Sequence, residues 1–184
     1  SMFEPNKIGV FVPDKSHTID YLCKTFGFEK KFLLNKIGFN GCRHAPENIS
    51  VSDLALKAVA DLEKKNPLFS ASKIDCLVFV TQNPDYKLPT TANIIQHDLG
   101  IPSTVLCFDI NQGCSGFVLG LNTIISIMKF NNLENGLLIT ADAYSKVINE
   151  KDKNTVPLFS DGATAIFINA ESSGDILSWD WGSD

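Results

Sequence analysis

The chain has 184 residues, 44% of them hydrophobic and 20% charged, with a formal net charge of −5. That composition suits one well-buried domain and excludes both two full domains and a disordered chain. No apolar run approaches the roughly 20 residues of a membrane helix, the first residues do not read as a secretory leader, and the basic pairs Lys30-Lys31 and Lys64-Lys65 are too scattered for a nucleic-acid face.

Residues 8–12 read as a short buried strand stopped by Pro13. Ile19, Leu22, Cys23 and Phe26 recur at helical spacing and end at Gly27, and a second helical pattern carries Phe32, Leu33 and Ile37 before Gly38. The stretch from Phe39 to Asn48 reads as a loop. Ser50-x-x-Asp53 has the form of a capping box, with Asp in place of the usual Glu or Gln. The helix behind it presents Leu54, Ala55, Ala58, Val59 and Leu62 on one face and stops before Pro67. The nearly continuous apolar run from Ile74 to Val80 predicts a strand covered on both faces.

A turn-rich loop spans Asn83 to Pro89, and a helix from Thr91 to Leu99 ends at Gly100. Val105–Ile110 reads as another buried strand, and Asn111-Gln-Gly113 as a tight turn. The segment from Cys114 to Phe130 is apolar nearly all round, which predicts a central helix. Its Gly116 and Gly120, four apart, predict close approach to another backbone. Gly136–Ala141 is a strand, Asn149–Asn154 a charged loop, Val156–Ile168 a strand, turn and strand with Asp161-Gly162 at the turn, and Ile176–Trp181 a last strand. This alternation of strands and helices argues an α/β layered fold.

The cysteines are Cys23, Cys42, Cys76, Cys107 and Cys114, an odd number at irregular spacing. They read as free thiols of a reducing cytoplasm. Cys42-x-His44 lacks the second pair that a zinc site needs, so no metal is expected. Cys76 and Cys107 fall in core strands and Cys23 on an apolar helical stripe. Cys114 differs, since it follows a buried strand and a glycine turn and opens a helix. A thiolate there gains from the unpaired N–H groups and the positive end of the helix dipole, and the same N–H groups can hold an oxyanion. The arrangement has the logic of a nucleophile elbow with Cys for Ser, although a small buried residue in a tight junction satisfies the same pattern. His17, His44 and His97 are the available bases, none in a recognisable signature, and Asp109 either orients the elbow or forms a turn.

Asp109-Ile-Asn-Gln-Gly-Cys-Ser-Gly-Phe117 followed by Phe159-Ser-Asp-Gly-Ala-Thr-Ala165 resembles the β-ketoacyl-acyl carrier protein synthase III family of the thiolase-like superfamily. Lys36-Ile-Gly-Phe-x-x-x-Arg43 and Leu88-Pro-Thr…Leu99-Gly-Ile also look like segments of that family. The resemblance implies one α-β-α layered half with a mixed five-stranded sheet and a central helix after the nucleophile, formed by residues 3–184 as an amino-terminal half-unit. It implies an acyltransferase in which Cys114 takes the acyl group as a thioester before decarboxylative condensation with malonyl-acyl carrier protein. No cofactor is implied beyond the acyl-CoA or acyl-carrier-protein thioester, which is substrate, and the chain is expected as a cytoplasmic homodimer partnered by acyl carrier protein.

By the same resemblance Phe32, Lys36 and Lys153 match the CoA site, with core packing an equal reading of Phe32. Lys for Arg keeps charge but loses the planar fork, so a carrier protein is the alternative donor. Leu88 and Phe159 match residues of the acyl pocket, with apolar core as the equal reading. The family's activating His and Asn segments do not occur in these 184 residues, so this half alone is expected to be catalytically incomplete and to self-associate through an apolar face. Two readings of other classes stand beside it: a non-catalytic binding or assembly module of the same fold, and a small cysteine hydrolase.

Overall fold

A computed structural model describes residues 4–13, 16–17, 19–27, 29–37, 42–43, 49–82, 84, 89–113, 115–143 and 161–171. In chain order the elements are β1 (Ile8–Phe11), β2 (Ser16–His17), α1 (Ile19–Phe26), α2 (Lys30–Phe32), which runs into a π-type turn at Leu33–Ile37, and β3 (Cys42–Arg43). There follow α3 (Val51–Lys65), β4 (Cys76–Thr81), α4 (Thr91–Leu99), β5 (Leu106–Asn111), α5 (Gly116–Asn131), β6 (Asn135–Asp142) and β7 (Gly162–Asn169).

The apolar run of β4 explains the layering. Successive side chains of a strand alternate between faces. Leu77 and Phe79 therefore join one core with Leu54, Ala58, Leu62 and Ile95 of α3 and α4. Cys76, Val78 and Val80 join a second core with Leu121, Ile124, Ile125 and Met128 of α5. A strand with helices on both faces has no solvent side, so no polar position breaks its apolar pattern. The sheet runs β1-β7-β6-β4-β5. β4 is parallel to both β5 and β6, while β7 is antiparallel to β6 and β1. The result is a mixed five-stranded sheet in an α-β-α sandwich, as the resemblance implies.

The local signals behave as their chemistry requires. Ser50 and Asp53 form a reciprocal capping box, Asp53 N–H donating to Ser50 Oγ at 3.1 Å and Ser50 N–H to Asp53 Oδ2 at 3.0 Å. Gly100 takes the left-handed conformation (φ 70°) that ends α4.

Four expectations need correction. Cys42–Arg43, expected in a loop, forms a two-residue antiparallel ladder with Ser16–His17, a long-range pairing with no local pattern. Among the described residues β5 is an edge strand with one neighbour, and its first residue, Leu106, is 49% exposed, so it is not buried like β4. Gly116 and Gly120 make room for side chains, not backbone: a Cβ on either would lie 2.7 Å from a Val80 methyl. Gly162 is the first residue of β7, paired with Asp142, and not part of a tight turn. The expected strand before Asp161 and the one at 176–181 lie outside the described residues.

The tightest approach between layers is at Gly9 of β1. A Cβ there would meet the Ala58 carbonyl, and would sit 2.6 Å from the Leu62 nitrogen, both backbone atoms of α3 that cannot move aside. Gly9→Ala is expected to lower unfolding free energy by about 3 kcal/mol through overpacking, measured by denaturant titration against the unaltered chain.

Candidate active site

The carboxyl ends of β4, β5 and β6 come together because these strands are parallel, and such ends are where open α/β sheets place their ligands. Thr81 and Gln82 leave β4 there, Asn111 to Gly113 leave β5, and Asp142 closes β6. Cys114 follows Gly113 directly in the chain and lies outside the described residues, as do Leu88, Lys153 and Phe159.

Hydrogen bonds tie this end of the sheet together. Asp142 accepts from the Gln82 N–H at 2.7 Å and from the Thr81 hydroxyl at 3.4 Å. Burial raises the Asp142 carboxyl above its ordinary range, the Gln82 and Thr81 hydrogen bonds oppose that rise, and the Asp161 carboxylate adds to it. Asp161 itself is buried beside the start of β7. Gly113 has no side chain because the Gln82 carboxamide occupies that space. Gln112 Nε2 donates to Ser115 Oγ at 3.1 Å, and Gly116 N–H to the Gly113 carbonyl at 2.8 Å. α5 therefore begins at Gly116, two residues later than the expected start at Cys114. Its first N–H is committed to Gly113 and is not available to an oxyanion.

Asp109 lies within β5 and does not form a turn. On β5, Cys107 packs toward the α3–α4 core and Phe108 and Ile110 toward the α5 core. Asp109 shares the parity of Cys107, and its carboxylate reaches the start of α4, accepting from Thr91 N–H at 2.9 Å and Ala92 N–H at 2.7 Å. It thus supplies the cap that the Thr90 side chain does not provide. Sequence reasoning missed this role and that of Asp142. The available signal was an aspartate at or near the end of an otherwise apolar strand, which needs a buried donor.

Of the other expected positions, Phe32 ends α2 and is 45% exposed, so the core reading of its ring does not hold. Lys36 lies in the π-type turn. His97 is exposed on α4, His17 lies in β2, and His44 falls outside the described residues. Burial pushes the Cys76 thiol up to about 11 and that of Cys107 to about 12, the latter helped by the Asp109 charge. Both stay protonated at neutral pH and are poor nucleophiles there. Cys107 is half-buried in the edge strand rather than enclosed like Cys76. Among the described residues no three His, Cys, Asp or Glu side chains gather to hold a metal, and no helix is long and apolar enough to cross a membrane.

The fold defined by this sandwich is that of a thiolase-like half-unit. A solved 3-oxoacyl-(acyl-carrier protein) synthase from Burkholderia xenovorans superposes with a TM-score of 0.82 at 33% identity, over 89% of this chain and 47% of that one. The synthase III of Aquifex aeolicus gives 0.81 at 27% identity, over 89% and 52%. The family model for 3-oxoacyl-[acyl-carrier-protein (ACP)] synthase III matches residues 108–184. Two curated proteins named beta-ketoacyl-[acyl-carrier-protein] synthase III are similar nearly end to end of this chain. That of Clostridioides difficile is 33% identical over 96% of the chain, and that of Neorickettsia sennetsu 31% identical over 92%. The chain spans about half the length of these relatives, 53% and 54% respectively. In sequence and in fold the chain is thus similar to a stretch covering about half of a β-ketoacyl-[acyl-carrier-protein] synthase III.

Two measurements test the hydrogen bonds at this site. Asp109→Ala is expected to destabilise the chain by about 2 kcal/mol, since two N–H groups lose a charged acceptor, with the loss of amide-exchange protection centred on Thr91 and Ala92. For Asp142, a folded carboxyl titrating above its unfolded value makes the fold bind its proton more tightly. Stability therefore falls as pH rises from the ordinary carboxylate range through the raised folded value, and the cost is complete above it. Asp142→Asn mimics the protonated form, so its melting temperature should exceed that of the unaltered chain at pH 7, with the difference shrinking toward pH 4.

Proposed function

We propose that residues 3–184 are the acyl-accepting half of a β-ketoacyl-acyl carrier protein synthase III-type acyltransferase, with Cys114 as its nucleophile. One observation carries this reading: the Asp109–Gly116 segment joins β5 to α5 at the carboxyl ends of parallel strands, in a chain whose relatives are named for this activity. The Cys114 thiolate attacks the carbonyl carbon of an acyl thioester, and the carbonyl electrons move to oxygen, where the Cys114 N–H is one donor. Collapse of that oxyanion expels the donor's thiolate, which takes up a proton, and leaves the acyl group on Cys114 Sγ. The protonated Cys76 and Cys107 thiols do not compete at neutral pH.

Decarboxylative condensation with malonyl-acyl carrier protein then needs an activating His and Asn, which we assign to a second half-unit outside residues 3–184. Support comes from the share of the relatives' length that the chain spans. The exposed ring of Phe32, beside exposed Leu34 and near Lys36 in sequence, suits an acyl donor docking on that side. Lys36 and Lys153 contribute charge without the bidentate fork of Arg, which favours a carrier protein over CoA as donor. Leu88 and Phe159 line the acyl pocket in this reading, no resident cofactor is required, and the working form is a cytoplasmic homodimer.

Intact-mass spectrometry of the 184-residue polypeptide after exposure to acyl-carrier protein or acyl-CoA tests the reading. A mass gain equal to the acyl group, abolished by Cys114→Ala, is expected with either donor class, and no β-ketoacyl product when malonyl-acyl carrier protein is added. A product formed at substantial rate would overturn the half-unit assignment. Absence of any Cys114-dependent gain would overturn the enzyme reading and leave a binding module.

A further inference from the structure

The two edges of the sheet are treated differently. Among the described residues β1 forms one edge and pairs only with β7. In an antiparallel pair every second residue turns its N–H and C=O away from the neighbour, and on an edge strand those groups are a template for an added chain. On β1 they belong to Ile8 and Val10, and the fold occupies three of these four groups with its own. The Ile8 N–H donates to the Pro5 carbonyl. The Ile8 carbonyl accepts from Lys65 Nζ at 3.3 Å, and the Val10 N–H donates to Asp61 Oδ2 at 2.8 Å.

The side chains that do this form a stripe on α3. Lys57, Asp61 and Lys65 are spaced by four, so they lie in a row along the helix. Lys57 Nζ sits 5.2 Å from the centre of the Phe11 ring, Asp61 reaches Val10, and Lys65 reaches Ile8. Asp61 and Lys65 are themselves paired at 2.7 Å. The pair is partly exposed, and such pairs add little to stability. Its hydrogen bonds to backbone groups of the edge strand give it another use.

We propose that the Lys57–Asp61–Lys65 stripe is an edge guard, closing β1 to strand addition by a second copy of this chain. This does not rest on the acyltransfer reading. The Lys65 and Val10 hydrogen bonds hold the Asp61 carboxyl below its ordinary range, so the guard keeps its charge into mildly acidic solution.

Amide exchange and light scattering on the full chain test it. In Asp61→Ala the Val10 amide should exchange roughly tenfold faster, as expected for loss of a charged hydrogen-bond acceptor. Asp61→Asn keeps an acceptor oxygen and should stay closer to the unaltered chain. With Lys65→Ala added to Asp61→Ala, both outward groups are released, and size-exclusion light scattering should show concentration-dependent species larger than those of the unaltered chain. Exchange at Val10 within about twofold of the unaltered rate in Asp61→Ala, or an unchanged mass distribution in a folded double variant, would overturn the proposal. Should the double variant not fold, Lys65→Ala and Asp61→Ala separately give the same mass comparison.

Discussion

Burial of β4 on both faces is the constraint from which the rest follows. A strand between α3–α4 on one side and α5 on the other is apolar until its last residue, Thr81, whose hydroxyl is hydrogen-bonded to Asp142. Its neighbours β5 and β6 run parallel to it, so their polar residues collect where the strands end. The chemistry of the chain is thus confined to the rim of the sheet by the apolar demand of its middle. The β5–α5 junction, with Cys114 in it, inherits its place from that division.

Aspartates fasten the elements around this core in a repeated manner. Asp75, just before β4, accepts from the N–H groups of Glu134 and Asn135 at 3.1 and 3.0 Å and so fixes the entry of β6. Asp142 does the same at the exit of β6 toward β4, and Asp109 joins β5 to α4. Each carboxylate serves backbone donors of an element distant in sequence. A carboxylate accepts only, and with several lone pairs it satisfies two donors at once, which is why the same residue type recurs at joints where a strand end meets the start of another element.

Those joints are also where the sequence was least legible. The helix of α3 could be read from Ser50, Asp53 and the apolar stripe behind them, and the end of α4 from Gly100, because both signals are local. The two-sided burial of β4 followed from its uninterrupted apolar run. The partners of Asp109 lie 18 and 17 residues upstream, and the Gln82 N–H lies 60 residues before Asp142, so no periodicity announces them. The short β2–β3 ladder escaped for the same reason. The apolar pattern of α5 was legible too, since Leu121, Ile124, Ile125 and Met128 pack into the core on its side of the sheet. The motif around Cys114 was legible as a family resemblance, whereas Cys114 itself lies outside the described residues.

The bare backbone at Gly9 has a reach beyond packing. It lets α3 lie so close over β1 that side chains four residues apart can reach the border of the sheet. A methyl group there would lift the helix and withdraw Asp61 and Lys65 from the strand they cover. One absent carbon atom thereby links the spacing of two layers to the company the molecule keeps.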